Sequence, residues 1–256
     1  YPRLGFETFL SRDDFPEDAD MLRNFISNKA VNEMVTEKYE EAKASSDAPF
    51  LFYTMTMQNH GNYDTAFDNL EETITLPSKY ADESVQRYLN LVKHSDDALK
   101  ELVTYFEQVD DPTVILFFGD HQPKVSQGFL KNITDGASAT WTNEEAMKQY
   151  QIPFLMWANF DIPEQEYART SMNYLQTILF QACGIPMSGY QKYLADLSEE
   201  IPALTANGYW GADGNFYQPD DTGSPYYGTL LEYEYLLYNN IFDTGSQPEG
   251  FYSLNP

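Results

Sequence analysis

The sequence predicts an α/β fold, and three observations carry that prediction. Residues 114–121 read Val-Ile-Leu-Phe-Phe-Gly-Asp-His, an apolar run that stops at a glycine and two polar residues. Residues 49–63 read Pro-Phe-Leu-Phe-Tyr-Thr-Met-Thr-Met-Gln-Asn-His-Gly-Asn-Tyr, a second apolar run that enters a polar turn. Between them, Val85, Tyr88, Leu89, Val92, Leu99, Leu102, Val103 and Phe106 recur at helical spacing. Continuous apolar runs suit strands buried on both faces of a mostly parallel sheet, and a helix feeding such a strand is the order of an α/β layer.

The elements follow in order. Residues 1–17 read as irregular, with Asp13-Asp14-Phe15-Pro16 as a turn. Residues 18–46 read as a helix, because Met21, Leu22, Phe25, Ile26, Ala30, Met34 and Val35 keep helical spacing, with Asp18 near its start. Pro49 closes the connection to a first strand at 50–57. Residues 60–79 form a loop in which Pro77 blocks helix continuation. A long amphipathic helix over 80–108 leads to a second strand at 113–118, and a crossover between parallel strands is expected to be right-handed. A loop containing Gly128 runs to a short helix at 143–150, a third strand at 152–158 and a helix at 170–182. Asn132-Ile-Thr in that loop matches the glycosylation pattern, which matters only in a eukaryotic secretory setting. Residues 186–202 carry one short helix. Residues 205–225, rich in Gly, Asn, Asp and Pro, read as turns. The Tyr- and Leu-rich stretch 226–242 reads as a helix whose rings supply packing area rather than a carbohydrate-stacking surface. The predicted organisation is one catalytic region over residues 1–200 and a loop-rich, Tyr-rich extension over 201–256 packed on the same domain.

The chemistry is expected at strand ends. In α/β sheets ligands bind beyond the carboxyl ends of the strands. Gly119 lets the chain turn there, which places Asp120 and His121 on the rim. Asp oxygen and His nitrogen both ligate zinc or manganese. The chain has three histidines, and His60 and His121 each follow a predicted strand. Parallel strands would point both at one rim. His94 falls within the long helix and reads as a boundary residue, and Asp96 and Asp97 on the same helix read as anchors for hydrogen bonds. Thr54 and Thr56 lie within a predicted strand, where Thr is a favoured residue.

Composition narrows the function classes. A formal net charge of −25 argues strongly against nucleic-acid binding, where basic patches supply most of the affinity, and against docking on anionic lipid. Most of that charge serves solubility. An acidic surface repels a phosphate ester, and a bound divalent cation would reverse the field locally. The single cysteine, Cys183, makes no internal disulfide and reads as a small buried hydrophobe. No apolar run reaches the length of a membrane span and no signal peptide is read at the start, so the segment is expected to be soluble. There is no phosphate-cradling glycine loop.

Five stretches in order carry a family resemblance. They are Tyr1-Pro-Arg-Leu-Gly-Phe-Glu-Thr-Phe, Thr56-Met-Gln-Asn-His-Gly, Thr113-Val-Ile-Leu-Phe-Phe-Gly-Asp-His-Gln-Pro, Ile152-Pro-Phe-Leu-Met-Trp-Ala-Asn, and Ser171-Met-Asn-Tyr-Leu-Gln-Thr-Ile-Leu with Cys183-Gly-Ile-Pro behind it. Over residues 1 to about 200 the chain resembles the lipoteichoic acid synthase family, sulfatase-like phosphoglycerol transferases of the alkaline phosphatase superfamily. The resemblance implies an α/β/α sandwich present as its C-terminal part. It implies one divalent metal, manganese first with magnesium or zinc as alternatives, held by Asp120 and His121. A Glu and a Thr nucleophile upstream of Tyr1 would complete the shell, in a missing N-terminal part of the same domain. It also implies that His60 contacts the phosphate and that Asn59 supports the same substrate-binding turn. The reaction implied moves glycerol phosphate from a phosphatidylglycerol-type lipid to a polyglycerolphosphate or glycolipid acceptor. It would run on the extracellular face of a bacterial membrane, in a parent anchored by upstream helices. This stretch alone is then expected to be inactive. Two other readings stand beside it: a sulfatase or phosphonate ester hydrolase of the same superfamily, and a degenerate domain that binds envelope glycan without catalysis. Cys183 cannot be the formylglycine precursor of a sulfatase, because it lacks the following Pro-x-Arg.

Overall fold

A short hairpin, rather than the start of a helix, occupies Met21 to Ile26 in the computed structural model, which describes residues 4–134 and 141–254. Tyr1, Pro2 and Arg3 of the first family stretch lie outside the described residues. The chain divides into two units, Tyr1–Asp111 with Pro123–Ser138, and Pro112–Gln122 with Ala139–Pro256.

In the first unit, β1 (Met21–Leu22) and β2 (Phe25–Ile26) pair antiparallel around Arg23 and Asn24. Arg23 takes φ 56, a left-handed backbone that usually selects glycine at the first position of so tight a turn. The predicted helix therefore begins later. Ser27 accepts from the backbone N–H of Ala30 at 3.0 Å and so caps α1 (Asn28–Ser45). Asp82 caps α2 (Glu83–Phe106) in the same way, through Val85 N–H at 3.1 Å. The two helices pack with the Tyr39 ring edge-on to Phe106 at 5.2 Å. Beneath the hairpin, Leu22, Tyr63, Leu70 and the fully buried Leu91 form a small core, flanked by Phe67 and Tyr88. A further helix, α3 (Gln127–Ile133), replaces part of the expected loop. Ser126 accepts from Phe129 N–H and donates its own hydroxyl to Asp82 at 2.7 Å.

The predicted first strand, 50–57, has no ladder partner among the described residues. It runs extended, with Leu51 76% and Met55 72% exposed. Apolar and β-branched composition predicts a surface fit for pairing, and cross-strand partners are what turn such a run into a strand.

In the second unit, β3 (Val114–Phe118) pairs with β4 (Phe154–Ala158) in the register Val114↔Ala158 to Phe118↔Phe154. The pair is antiparallel. The connection returns the chain to the end where β3 stops, and Gly119 N–H donates to Pro153 O at 3.2 Å, so β4 has to run back. That connection includes α4 (Asn143–Ala146), opened by a capping box between Thr142 and Glu145. Leu116, Phe118, Phe154 and Met156 pack on a core of Tyr174, Leu175, Ile178, Leu194, Leu197 and Ile201. Phe117 and Leu155, of opposite parity, are exposed. Helix α5 (Leu175–Cys183) stops at Gly184 with φ 64, as a left-handed C-terminal glycine does. Helix α6 (Gly189–Glu200) is opened by a Ser188–Gln191 capping box. The stretch expected as turns holds a three-stranded antiparallel meander, β5 (Ala203–Thr205), β6 (Gly208–Trp210) and β7 (Phe216–Tyr217). The last helix, α7 (Tyr227–Ile241), adds Leu230 and Tyr233 to the core while Tyr235 and Tyr238 stay exposed. Among the described residues no helix is long and apolar enough to cross a membrane.

Candidate active site

His60 stands on a turn that the first unit holds from several directions. Gln58, 1% exposed, accepts from the backbone N–H of Asn28 at 2.8 Å, which ties the turn to the start of α1. Asn59 donates to Ser95 Oγ on α2 at 2.8 Å and accepts from Gln58 Nε2 at 3.2 Å, so both ends of its amide hold the turn. The Tyr63 hydroxyl donates to Asn59 O at 2.8 Å. The His60 ring is exposed, lies edge-on to Phe25 at 6.3 Å, and places Nδ1 2.9 Å from Gly61 O. A carbonyl can only accept, so Nδ1 carries the proton in this contact.

A further support, which the sequence did not reveal, is Arg23. Only 6% of it is exposed. Its guanidinium donates to His60 O at 2.5 Å and to Asn62 O at 3.1 Å. It sits among the rings of Phe25, Tyr63 and Phe67, at 5.2, 5.9 and 5.8 Å from their centres. Burial pulls its pKa down, opposed by Tyr63. Asn69 accepts from its backbone N–H at 3.1 Å. These contacts fix a residue whose backbone is strained, and through two carbonyls they fix the His60 turn. No local pattern marks Arg23, since its partners lie 37 and 39 residues away.

In the second unit, Asp120 and His121 follow β3 as expected, and both side chains are largely exposed. Asp120 Oδ1 accepts from His121 N–H at 2.8 Å, and His121 Nδ1 lies 2.9 Å from Gln122 O. The same acceptor argument puts the His121 proton on Nδ1. That leaves Nε2 and Asp120 Oδ2 facing each other at 3.6 Å. Two ligands each about 2.1 Å from one ion, at a tetrahedral angle, stand about 3.4 Å apart. The donor set fits a divalent cation, with the carbonyl of Gln122 orienting the imidazole from behind. Among the described residues no group of three or more His, Cys, Asp and Glu comes together as a metal site.

The remaining candidates do other work. His94 Nε2 lies 3.3 Å from Glu71 O, and Asp97 pairs with Lys93 along α2. Thr54 and Thr56 are exposed on the extended 50–57 segment. Burial raises the pKa of the Cys183 thiol, which suits a packing residue rather than a nucleophile.

Residues 1–185 match the sulfatase family model. A Rhizobium meliloti protein named for cyclic β-1,2-glucan modification is 26% identical over 268 residues, covering 98% of this chain and 39% of its own length. The capsular polysaccharide biosynthesis protein RkpI of the same organism is 29% identical over 134 residues, covering 52% of this chain and 22% of its own. Among solved structures, the phosphoglycerol transferase GacH of Streptococcus pyogenes, in complex with sn-glycerol-1-phosphate, shares the fold with a TM-score of 0.66 at 18% identity. That match covers 98% of this chain and 60% of GacH. The chain thus spans well under half the length of the curated relatives it matches.

Proposed function

The chain belongs to the sulfatase family, and we propose on that premise that it forms part of a metal-dependent phosphoglycerol transferase acting on an envelope glycan. The observation that supports the reading is the Asp120–His121 pair, whose Oδ2 and Nε2 lie 3.6 Å apart, with Gln122 O on the other ring nitrogen. The likeness to GacH, solved with sn-glycerol-1-phosphate, and to relatives named for glucan modification and capsular polysaccharide synthesis supports the donor and acceptor classes. An upstream Glu and Thr complete the ligand set in this proposal. The glycerol phosphate comes from a phosphatidylglycerol-type lipid, at the outer face of the membrane.

When bound, the cation supplies charge to polarise the phosphoryl group and to favour the ionised nucleophile. Manganese, magnesium and zinc all suit an oxygen-plus-imidazole donor set. Asp120 and His121 hold it. His60 contacts the phosphate in this proposal, donating a hydrogen bond to a phosphoryl oxygen or helping to protonate the departing alkoxide. Asn59 supports the same substrate-binding turn, its amide donating to Ser95 Oγ and accepting from Gln58 Nε2.

The test is glycerol-phosphate transfer by the intact protein that carries this chain, with phosphatidylglycerol as donor and a glucan as acceptor. Transfer that requires a divalent cation and disappears in Asp120→Asn supports the reading. Sulfate ester hydrolysis without phosphoglycerol transfer replaces it with a sulfatase.

A further inference from the structure

We propose that a cleft in the second unit, with Asp120 on its wall, binds a neutral oligosaccharide and thereby selects the acceptor. This rests on the transferase reading for the role of the sugar, but the site itself is argued from the cleft.

The cleft has a volume of about 1510 Å³. Small-molecule pockets run to about 300–1,000 Å³, so this one suits a chain segment of several sugar units. Its walls come from the start of β4, the 162–173 loop and β5, all within one unit. Asp120 reaches the wall, so the end of a bound chain would lie beside the candidate metal ligands.

Charge decides the class of occupant. Three carboxylates line the cleft, those of Asp120, Glu164 and Glu166, against one guanidinium, that of Arg169. A net negative wall on a chain of formal charge −25 repels a polyanion. It does suit hydroxyl groups, which donate to carboxylates and accept from amide and guanidinium N–H. The exposed amides of Gln165 and Gln181 add donors and acceptors. Arg169 lies over the Trp210 ring at 4.9 Å, and Trp210 is only 6% exposed. The guanidinium plane is thereby fixed at the wall by a buried ring, as a preset hydrogen-bonding face. Tyr150 leaves 57% of its surface open beside it, a free aromatic face of the kind that packs against sugar C–H groups.

The experiment uses the intact protein that carries this chain, in chelator, so that no metal-dependent step contributes. Neutral β-1,2-linked glucooligosaccharides of increasing length are titrated calorimetrically, with sn-glycerol-1-phosphate as the anionic probe. The expected result is saturable binding that tightens with sugar length, weakens about ten-fold in Tyr150→Ala and falls again in Arg169→Ala. Circular dichroism confirms that both surface variants remain folded. Three results overturn the proposal: no binding of any length by the folded chain, equal affinity in Tyr150→Ala, or displacement of the sugar by glycerol phosphate. Because the titration is metal-free, its failure leaves the Asp120-dependent transfer assay standing, and failure of that assay leaves the cleft standing.

Discussion

Replacing Arg23 by Met keeps an unbranched apolar side chain and removes the guanidinium. Two hydrogen bonds are lost, to His60 O and Asn62 O, and each such bond from a charged donor contributes about 1.5–3 kcal/mol. Three ring contacts within 6 Å are weakened, at roughly 0.5–1 kcal/mol each. Against this, the variant no longer has to bury a charge, which costs several kcal/mol, and Arg23 Nε is itself buried without a hydrogen-bond partner among the described residues. The balance is a loss of about 3 kcal/mol, because the two carbonyls stay behind without donors. Urea unfolding followed by circular dichroism reads that loss. Hydrogen exchange across residues 57–63 reads its location, and exchange there should rise before exchange in α5 or α6. A loss under about 1 kcal/mol, or protection of 57–63 unchanged, would refute the idea that a buried arginine holds the His60 turn.

Other outcomes follow from the same geometry. In the intact protein, Asp120→Asn should weaken manganese affinity at least ten-fold and abolish turnover. His60→Gln should retain metal while lowering the rate by about 10²–10⁴-fold, so equal metal loss in both variants contradicts the division of roles. Leu91→Ala, at a site with 0% exposure, should cost about 2–5 kcal/mol in a urea titration. Asp82→Ala should remove the α2 cap at a cost of about 1 kcal/mol at neutral pH. The Ser126 hydroxyl, then Ser84 and Val85, hold the Asp82 carboxyl below its usual 3.8. Its contribution is therefore present above that value and lost as pH falls through the lower folded one. Wild type and variant should converge in acid.

The long helix α2 was legible because its apolar residues repeat one period over many turns, and β3 and β4 because each is a continuous apolar run bounded by turn formers. The hairpin at Met21–Ile26 and the meander from Ala203 to Tyr217 were not, since strands of two or three residues carry no period and lie among turn formers. Phe25 and Ile26 matched helical spacing by coincidence; the strained turn at Arg23 and the Ser27 cap decided otherwise. The apolar run 50–57 reads as a strand by composition alone, and composition does not supply a partner. The sequence positions of Asp120 and His121 after β3, and of His60 after the extended 50–57 run, were legible from the apolar runs before them. Their tautomers were not, because those depend on single carbonyls, Gln122 O and Gly61 O, that only the folded backbone positions. Arg23 and the Arg169–Trp210 stack depend on contacts between residues far apart in sequence, which no window of sequence contains.

The central claim is that Asp120 and His121 serve phosphoglycerol transfer. It is tested most directly by diacylglycerol release from phosphatidylglycerol vesicles by the intact protein with manganese, wild type beside Asp120→Asn. The account predicts release by the wild type that a chelator stops and that the variant lacks. Release by the variant at the wild-type rate would contradict it.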